Sequence, residues 1–513
     1  MICSITTSAL APLDWVVIAA YVLLVLGVGW YYSRRTGSTE DYLLGGRQMK
    51  WFSLGISLFA TMLSAVTYLA LPGEMILYGP VFAMGKVAAY PLVALIVGWW
   101  IIPKIMELRV TSAYEILEVR LGVSVRLLGS TFFLSLRLMW MALVVYATAA
   151  MVLVPLLGLE ESATPWICLI LGAVTVAYTS MGGLRAVVVT DVLQSVILFG
   201  GALLTLGIIT YHFGGVGGWW PDEWPVHWPE PRWGYDSDPK ARTFIGALIG
   251  TLVWYVCTQG SDQMAVQRFL ANRDVKTARR TLFAALIASA LTTGLLTLVG
   301  LAVWSYYRAN TEMLVGSVSL LDEADKLFPQ FVMTALPPGV SGLVIAGLLA
   351  VAMSSLSSGV NSACSVIKVD FIDRLSRSKS SDAKHDVHQA MWISVVVGAV
   401  VVLLSSGVGA VQGNLLAVAF KVCNLLTAPL FGLFFMAMFV RGATVTGTHA
   451  GAACGLSVVV AVNFWEDITG RAGINFLWAM PLGLLVQIAV GVLVSRCFPQ
   501  NTPHSPTAEE DLS

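Results

Sequence analysis

The sequence predicts an all-α polytopic membrane protein, on the strength of composition, recurrent apolar runs and charge placement. Hydrophobic residues make up 57% of the 513 positions and charged residues only 12%. The mean hydropathy is +0.78, too apolar for a soluble globular chain. Apolar runs of about 20 residues, enough helix to cross a bilayer core, recur along the whole chain. The 30 basic and 30 acidic residues cancel, so net charge gives no footing for a nucleic acid or another acidic polymer as partner. Seven scattered cysteines, Cys3, Cys168, Cys257, Cys364, Cys423, Cys454 and Cys497, lack the short repeated spacings of zinc sites and disulfide frameworks.

Hydropathy marks about thirteen spans, at 13–32, 51–72, 79–103, 127–157, 163–180, 186–211, 243–264, 281–307, 328–367, 389–408, 414–440, 445–464 and 475–495. The first is long and has no basic residue before it, so it reads as a retained spanning helix and not a cleaved signal. With the N-terminus outside, inside loops hold 21 of the 30 basic residues, Arg268 and Lys368 among them, and outside loops hold six. The positive-inside rule selects that orientation: a multi-pass protein of the cell membrane with a cytoplasmic C-terminus. The longest outside loop, near 212–242, carries Trp219, Trp220, Trp224, Trp228 and Trp233, the composition of an ordered cap or an interfacial belt. Residues 1–498 read as one transmembrane domain and 499–513 as a disordered cytoplasmic tail.

Polar residues inside these spans are the candidates for chemistry. Ser354, Ser357 and Ser358 share one helix face, with Ser355 about 100° round from Ser354. Asp191 lies in another apolar stretch. An ionised Asp costs roughly 2.5–3.5 kcal/mol at the centre of a spanning helix, so it needs a partner there, and a small hard cation coordinated with the serine hydroxyls would be one. The ordinary alternative is small-residue packing with each hydroxyl bonded back to its own helix. The second span holds a small, hydroxylated patch, Ala60 to Thr67, that suits an interrupted helix. Breaks near the midplane free carbonyls for cations and amides for anions; close packing is again the alternative. Three cations, Lys86, Arg137 and Lys421, fall inside spans. Each either offsets an acid such as Asp191, Glu74 or Asp262, binds an anionic substrate, or snorkels to an interface.

Several motifs together resemble the sodium:solute symporter family. They are Asp41 to Arg47 (DYLLGGR), Leu71 to Glu74 (LPGE), Thr111 to Glu115 (TSAYE) followed by Arg120, and Tyr178 to Val187 (YTSMGGLRAV) running into Thr190 to Gln194. Asp262-Gln263, then Val266-Gln267-Arg268, and Ala352 to Ser358 (AMSSLSS) complete the series. The resemblance runs in order from about residue 41 to 370. It implies a leucine-transporter-type fold: an inverted five-plus-five repeat at about 51–440, preceded by the helix at 13–32 and followed by two helices at 445–495. It implies a first sodium site from backbone groups of Ala60, Leu63 and Val351 and the hydroxyls of Ser354 and Ser355. A second site, similar to that of sialic acid symporters, would use Asp191, Ser354, Ser357 and Ser358. All the hydroxyls are kept, so two sodium ions are expected per cycle.

Substrate contacts implied by the same resemblance fall on Ser64, Ala65, Thr67 and Phe82. Ala65 stands where sialic acid symporters have a serine, Lys86 where they have a glutamine and Trp140 where they have an arginine. Arg137 lies about one turn before Trp140. These departures count against sialic acid itself, whereas two cations near the site favour another carboxylate. The expected protein is a sodium-coupled symporter importing a small organic solute, a carboxylate anion, by alternating access. No bond is made or broken, so no enzyme is expected. The alternatives are a sodium/sugar symporter, a sensor that keeps the fold without transport, and a sodium-independent facilitator. The short tail speaks against the sensor and the serine cluster against the facilitator. Expected partners are the solute, the sodium ions and the bilayer, with no nucleic acid and no obligate protein.

Overall fold

The computed structural model describes residues 10–499 except 109, 235, 237–240, 315–319, 322–323, 376–382, 409–414 and 472. The apolar runs become helices: α1 (Pro12–Ser33), α2 (Trp51–Met62), α3 (Ala65–Tyr78), α4 (Val81–Met106), α5 (Val123–Thr148), α6 (Thr164–His212) and α7 (Phe244–Ser261). They continue as α8 (Gln263–Leu270), α9 (Val275–Ala309), α10 (Ala324–Thr334), α11 (Val340–Val366), α12 (Ala383–Val408), α13 (Leu415–Phe439), α14 (Val445–Asn463) and α15 (Ala479–Cys497). Among the described residues there is no strand. Ten helices there are long and apolar enough to cross a membrane, eleven if the bent pair α2–α3 is one span. Exposed Leu13, Trp15, Val16, Leu23 and Leu24 on α1, and Trp392, Val396 and Leu403 on α12, give those helices apolar outer faces that lipid would cover.

The pillar of the molecule is α11, where every residue except Val340 and Leu343 is buried. It packs along α6, and α1 lies against both. Asp14, in the first turn of α1, accepts hydrogen bonds at 2.7 Å from the backbone N–H groups of Gly339 and Gly342, which ties the two helix starts together. Serine, alanine and glycine fill α11, so neighbouring backbones can approach it closely. The α14–α15 pair uses the same device: Gly447, Gly451 and Gly455 sit one turn apart, and a Cβ on Gly451 would lie 2.5 Å from the Gln487 carbonyl oxygen.

Several boundaries differ from the hydropathy spans, each for a local reason. The run 51–72 is broken after Met62, and α3 is bent 65° from the first half. The runs 163–180 and 186–211 are two helices, as expected, joined without a loop at a kink at Gly183 within α6. Gly183 has φ 57° and ψ −156°, and a Cβ there would come within 2.5 Å of the Tyr42 carbonyl oxygen; no L side chain fits. The run 328–367 is two helices, because Pro337, Pro338 and Gly339 (φ +89°) end α10 and begin α11. Past the run 243–264, the short buried helix α8 extends the chain inward, and hydropathy missed it because it carries Gln263, Gln267 and Arg268.

In the described part of the Trp-rich segment, two tryptophans pack against the helices. Trp219 and Trp228 are buried; Trp228 Nε1 donates to the Ile76 carbonyl at 2.8 Å, and Trp219 Nε1 donates to Thr210 Oγ1 at 2.9 Å. The tail from 500 onward lies outside the described residues.

Candidate substrate and ion site

Two helix breaks create the site. Leu63 (φ −84°, ψ 126°) and Ser64 (φ −103°, ψ 155°) are extended, and Ser64 Oγ accepts the Thr67 N–H at 3.1 Å, capping the new helix α3. Asp262 (φ −77°, ψ 124°) separates α7 from α8, and its Oδ1 caps α8 by accepting the Met264 N–H at 2.9 Å. The sequence patch 60–67 anticipated the first break. Hydropathy gave no sign of the second, whose signal is an Asp at an N-cap position inside an apolar run.

Between the breaks lies a cavity of about 260 Å³. Of the expected substrate contacts, Ser64, Thr67, Phe82, Lys86, Arg137 and Trp140 all line it. Ala65 opens α3, but its side chain lies outside the described residues, as does that of Lys421. The charged lining residues are Lys86, Arg137, Arg242, Glu74 and Asp262, three cations against two carboxylates. Arg137 is paired with Asp262, so of the alternatives open to it the acid-offsetting one is realised. Arg242, which sequence reasoning assigned to an outside loop, holds Glu74 through Nε–Oε2 at 3.0 Å and Nη2–Oε1 at 3.3 Å. Its guanidinium also stands 5.2 Å from the Tyr78 ring centroid and 5.8 Å from that of Phe82. Lys86 is the third cation of the lining, so by formal count the cations exceed the carboxylates by one.

The sodium candidates gather beside this cavity, between α2, α6, α8 and α11. Ser355 Oγ donates to the Leu63 carbonyl at 3.0 Å, joining the first break directly to α11. Ala60 and Val351 are buried on the two helices so joined. Asp191 is fully buried; its Oδ1 accepts from Ser354 Oγ at 2.6 Å and its Oδ2 from Ser57 Oγ at 2.5 Å. Ser358 Oγ lies 2.8 Å from Thr61 Oγ1. Ser357 Oγ turns back to the Ser354 carbonyl at 3.1 Å, the ordinary helix-backbonding arrangement.

Arg268 is the main correction to the sequence reading. Counted there with the loop cations, it is fully buried and reaches the serine–aspartate cluster from α8. Nη2 donates to Ser358 Oγ at 2.5 Å and Nε to Ser57 Oγ at 2.9 Å, while Nη1 donates to the Met264 carbonyl at 2.7 Å. Its approach to Asp191 Oδ2 is looser, 3.4 Å. Lys368, also counted as a loop cation, is buried beside Asp373, Asp386 and Gln389. Ser57 and Arg268 were missed as site residues, and Thr61 was read only as part of the patch 60–67. Ser57 and Thr61 are four apart on one helix face, a pattern legible in principle, but only the packing of α8 shows where Arg268 points.

Hydroxyls and carbonyls converging at a broken helix beside a charged cavity define a membrane transporter that handles a small hard cation and a small solute. The family model of the sodium:solute symporter family matches residues 42–455, and the chain belongs to that family. It is a sodium-coupled symporter of a small organic solute, which points away from an enzyme. It is 28% identical over 495 residues to the sodium/sialic acid symporter of Aliivibrio fischeri, covering 95% of this chain and 94% of that one. It is 30% identical over 464 residues to the sodium-coupled monocarboxylate transporter 1 of Mus musculus, covering 89% of this chain and 73% of the other. A solved structure of a Na+-coupled sialic acid symporter in a substrate-bound outward-open state superposes with a TM-score of 0.81 at 27% identity, over 95% of this chain and 99% of that one. A nucleobase-cation-symport-1 family transporter in a closed conformation shares the fold, with a TM-score of 0.56 at 15% identity over 89% and 95%.

Proposed function

We propose that the cavity takes a small carboxylate, and that sodium drives its import by alternating access across the cell membrane, with the N-terminus outside. The observation that carries the anion is the third cation of the lining, Lys86: both arginines in the lining already have a carboxylate, and a second anion there would be repelled unless the lysine receives it. Relatives named for sialic acid and for monocarboxylates agree with an acidic solute. The two breaks, one in each half of the core, support the inverted five-plus-five repeat. Dividing α6 at Gly183 and counting α13 supports thirteen spans. The test is thermal stabilisation of the purified protein by monocarboxylates, sialic acids, sugars and amino acids, in sodium and in choline. A carboxylate that stabilises in sodium alone, and no longer does so in Lys86→Met, is the expected result; a neutral sugar as the sole hit would overturn the anion.

Sodium has two proposed places. The first lies at the Leu63 break, with carbonyls of Ala60, Leu63 and Val351 and the hydroxyls of Ser354 and Ser355. The second lies at Asp191 with Ser354, Ser357 and Ser358, and an ion there takes over the hydroxyl of Ser358 from Arg268. A one-ion reading rests on Arg268, which already offsets Asp191. Sodium titration of uptake separates them. In Asp191→Ala the two-ion protein changes from a sigmoidal to a hyperbolic dependence, and an unchanged curve leaves one ion.

A further inference from the structure

Below the Asp191 cluster, α8 and α11 run antiparallel and touch at two polar points. At one, Arg268 Nη2 donates to Ser358 Oγ at 2.5 Å; at the other, Gln263 Nε2 donates to Ser365 Oγ at 3.2 Å. Asn361 falls between them on the same face of α11, three residues after Ser358 and four before Ser365. It is fully buried, and neither its amide nitrogen nor its amide oxygen has a hydrogen-bond partner among the described residues. In the matching interval of α8, Gln267 is fully buried too. Its nitrogen donates to the Leu43 carbonyl, but its oxygen has no partner among the described residues. A buried amide without partners carries its desolvation penalty, so Asn361 calls for a polar occupant, a water or an ion.

Beyond Ser365 the oxygens continue. Gln263 Nε2 also donates to the Thr111 carbonyl at 3.0 Å. Ser112 Oγ donates to the buried Asp370 at 2.6 Å, Arg126 joins Asp370 to Glu118, and Glu118 reaches the surface. From Ser358 through Asn361 and Ser365 to Asp370, oxygen donors follow one another at about 5 Å per helical turn, the donor type a hard cation selects.

We propose that Asn361 is a transit ligand for sodium leaving the Asp191–Ser354–Ser358 cluster toward the Asp370 end of the molecule, its carbonyl oxygen bridging the gap between Ser358 and Ser365. The inference rests on the sodium-symport reading. It adds a release path distinct from both resting ion sites. Arg268 and Gln263 close the interval in this conformation, and their separation from α11 admits the ion.

The test is 22Na+ uptake into proteoliposomes, driven with the stabilising solute from the panel above, alongside sodium-induced thermal stabilisation. Wild-type flux first establishes coupling; its absence would count against the symport reading and not against Asn361. Asn361→Ala is expected to lower maximal 22Na+ uptake about tenfold, equivalent to about 1.4 kcal/mol of barrier, with the half-stabilising sodium concentration unchanged. Asn361→Thr, which keeps an oxygen, restores at least half the rate. Asn361→Asp slows uptake and makes it more sensitive to internal sodium. Wild-type rates in the Ala and Asp variants would overturn the proposal. So would a parallel loss of rate and sodium affinity that Thr does not rescue, which would mark a packing role. If the Ala variant fails to fold, the Thr and Asp variants decide it on the same readouts.

Discussion

The two helix breaks have nearly the same backbone and opposite chemistry. Leu63 and Asp262 differ by less than ten degrees in both φ and ψ, yet one break offers the neutral Leu63 carbonyl to the Ser355 hydroxyl of α11 and the other holds a carboxylate closed by Arg137. In the proposed reading, a cation enters the first without displacing a charge. At the second, the ion pair fixes α8 against α5 and leaves Lys86 as the third cation of the cavity. Backbone geometry alone therefore does not make an ion site; the side chain at the break decides whether its free groups are available or already used.

The largest expected effect lies at the charged break. Asp262→Ala leaves Arg137 buried without its acid, at a cost of about 3–5 kcal/mol, and thermal unfolding in detergent would register it as a large fall in melting temperature. Adding Arg137→Met to that variant should recover part of the loss; if the double variant is no more stable than the single one, the ion pair is not what holds this break. At the neutral break the expected effect is on function. Ser355→Ala removes a hydroxyl from the Leu63 carbonyl and should raise the sodium concentration for half-maximal uptake about tenfold, equivalent to about 1.4 kcal/mol, while the apolar solute contacts stay in place. An unaltered sodium dependence would show that Leu63 and Ser355 hold structure and not the ion. The smallest effect belongs to the cap: Ser64→Ala gives up the hydrogen bond to the Thr67 N–H and should cost about 1 kcal/mol of stability, with a modest loss of uptake read in the same assays.

Much of the site could be read from the chain because its signals are local. Four hydroxyls in five positions of an apolar helix stand out whatever surrounds them, and so does an Asp in a long apolar run. The structure brings Ser354 and Asp191 into contact, joins Ser355 to Leu63, and gathers Ser64, Thr67, Phe82, Lys86, Arg137 and Trp140 around one cavity. Hydropathy averages over a window, so it merged α10 with α11 across Gly339 and overlooked α8, where polar residues on a short helix dilute the signal.

Sequence by itself determined that this is a helical membrane protein with a hydroxyl-rich patch at one helix break, because apolar run length and helix-face spacing are properties of neighbouring residues. Tertiary structure alone decided which charges meet. Arg268 resembles a loop cation along the chain, yet folding buries it against Asp191, 77 residues away. The physical reason is range. Burial and ion pairing depend on segments distant in sequence converging at low dielectric, where a charge must find its partner, and no local pattern encodes which partner that will be.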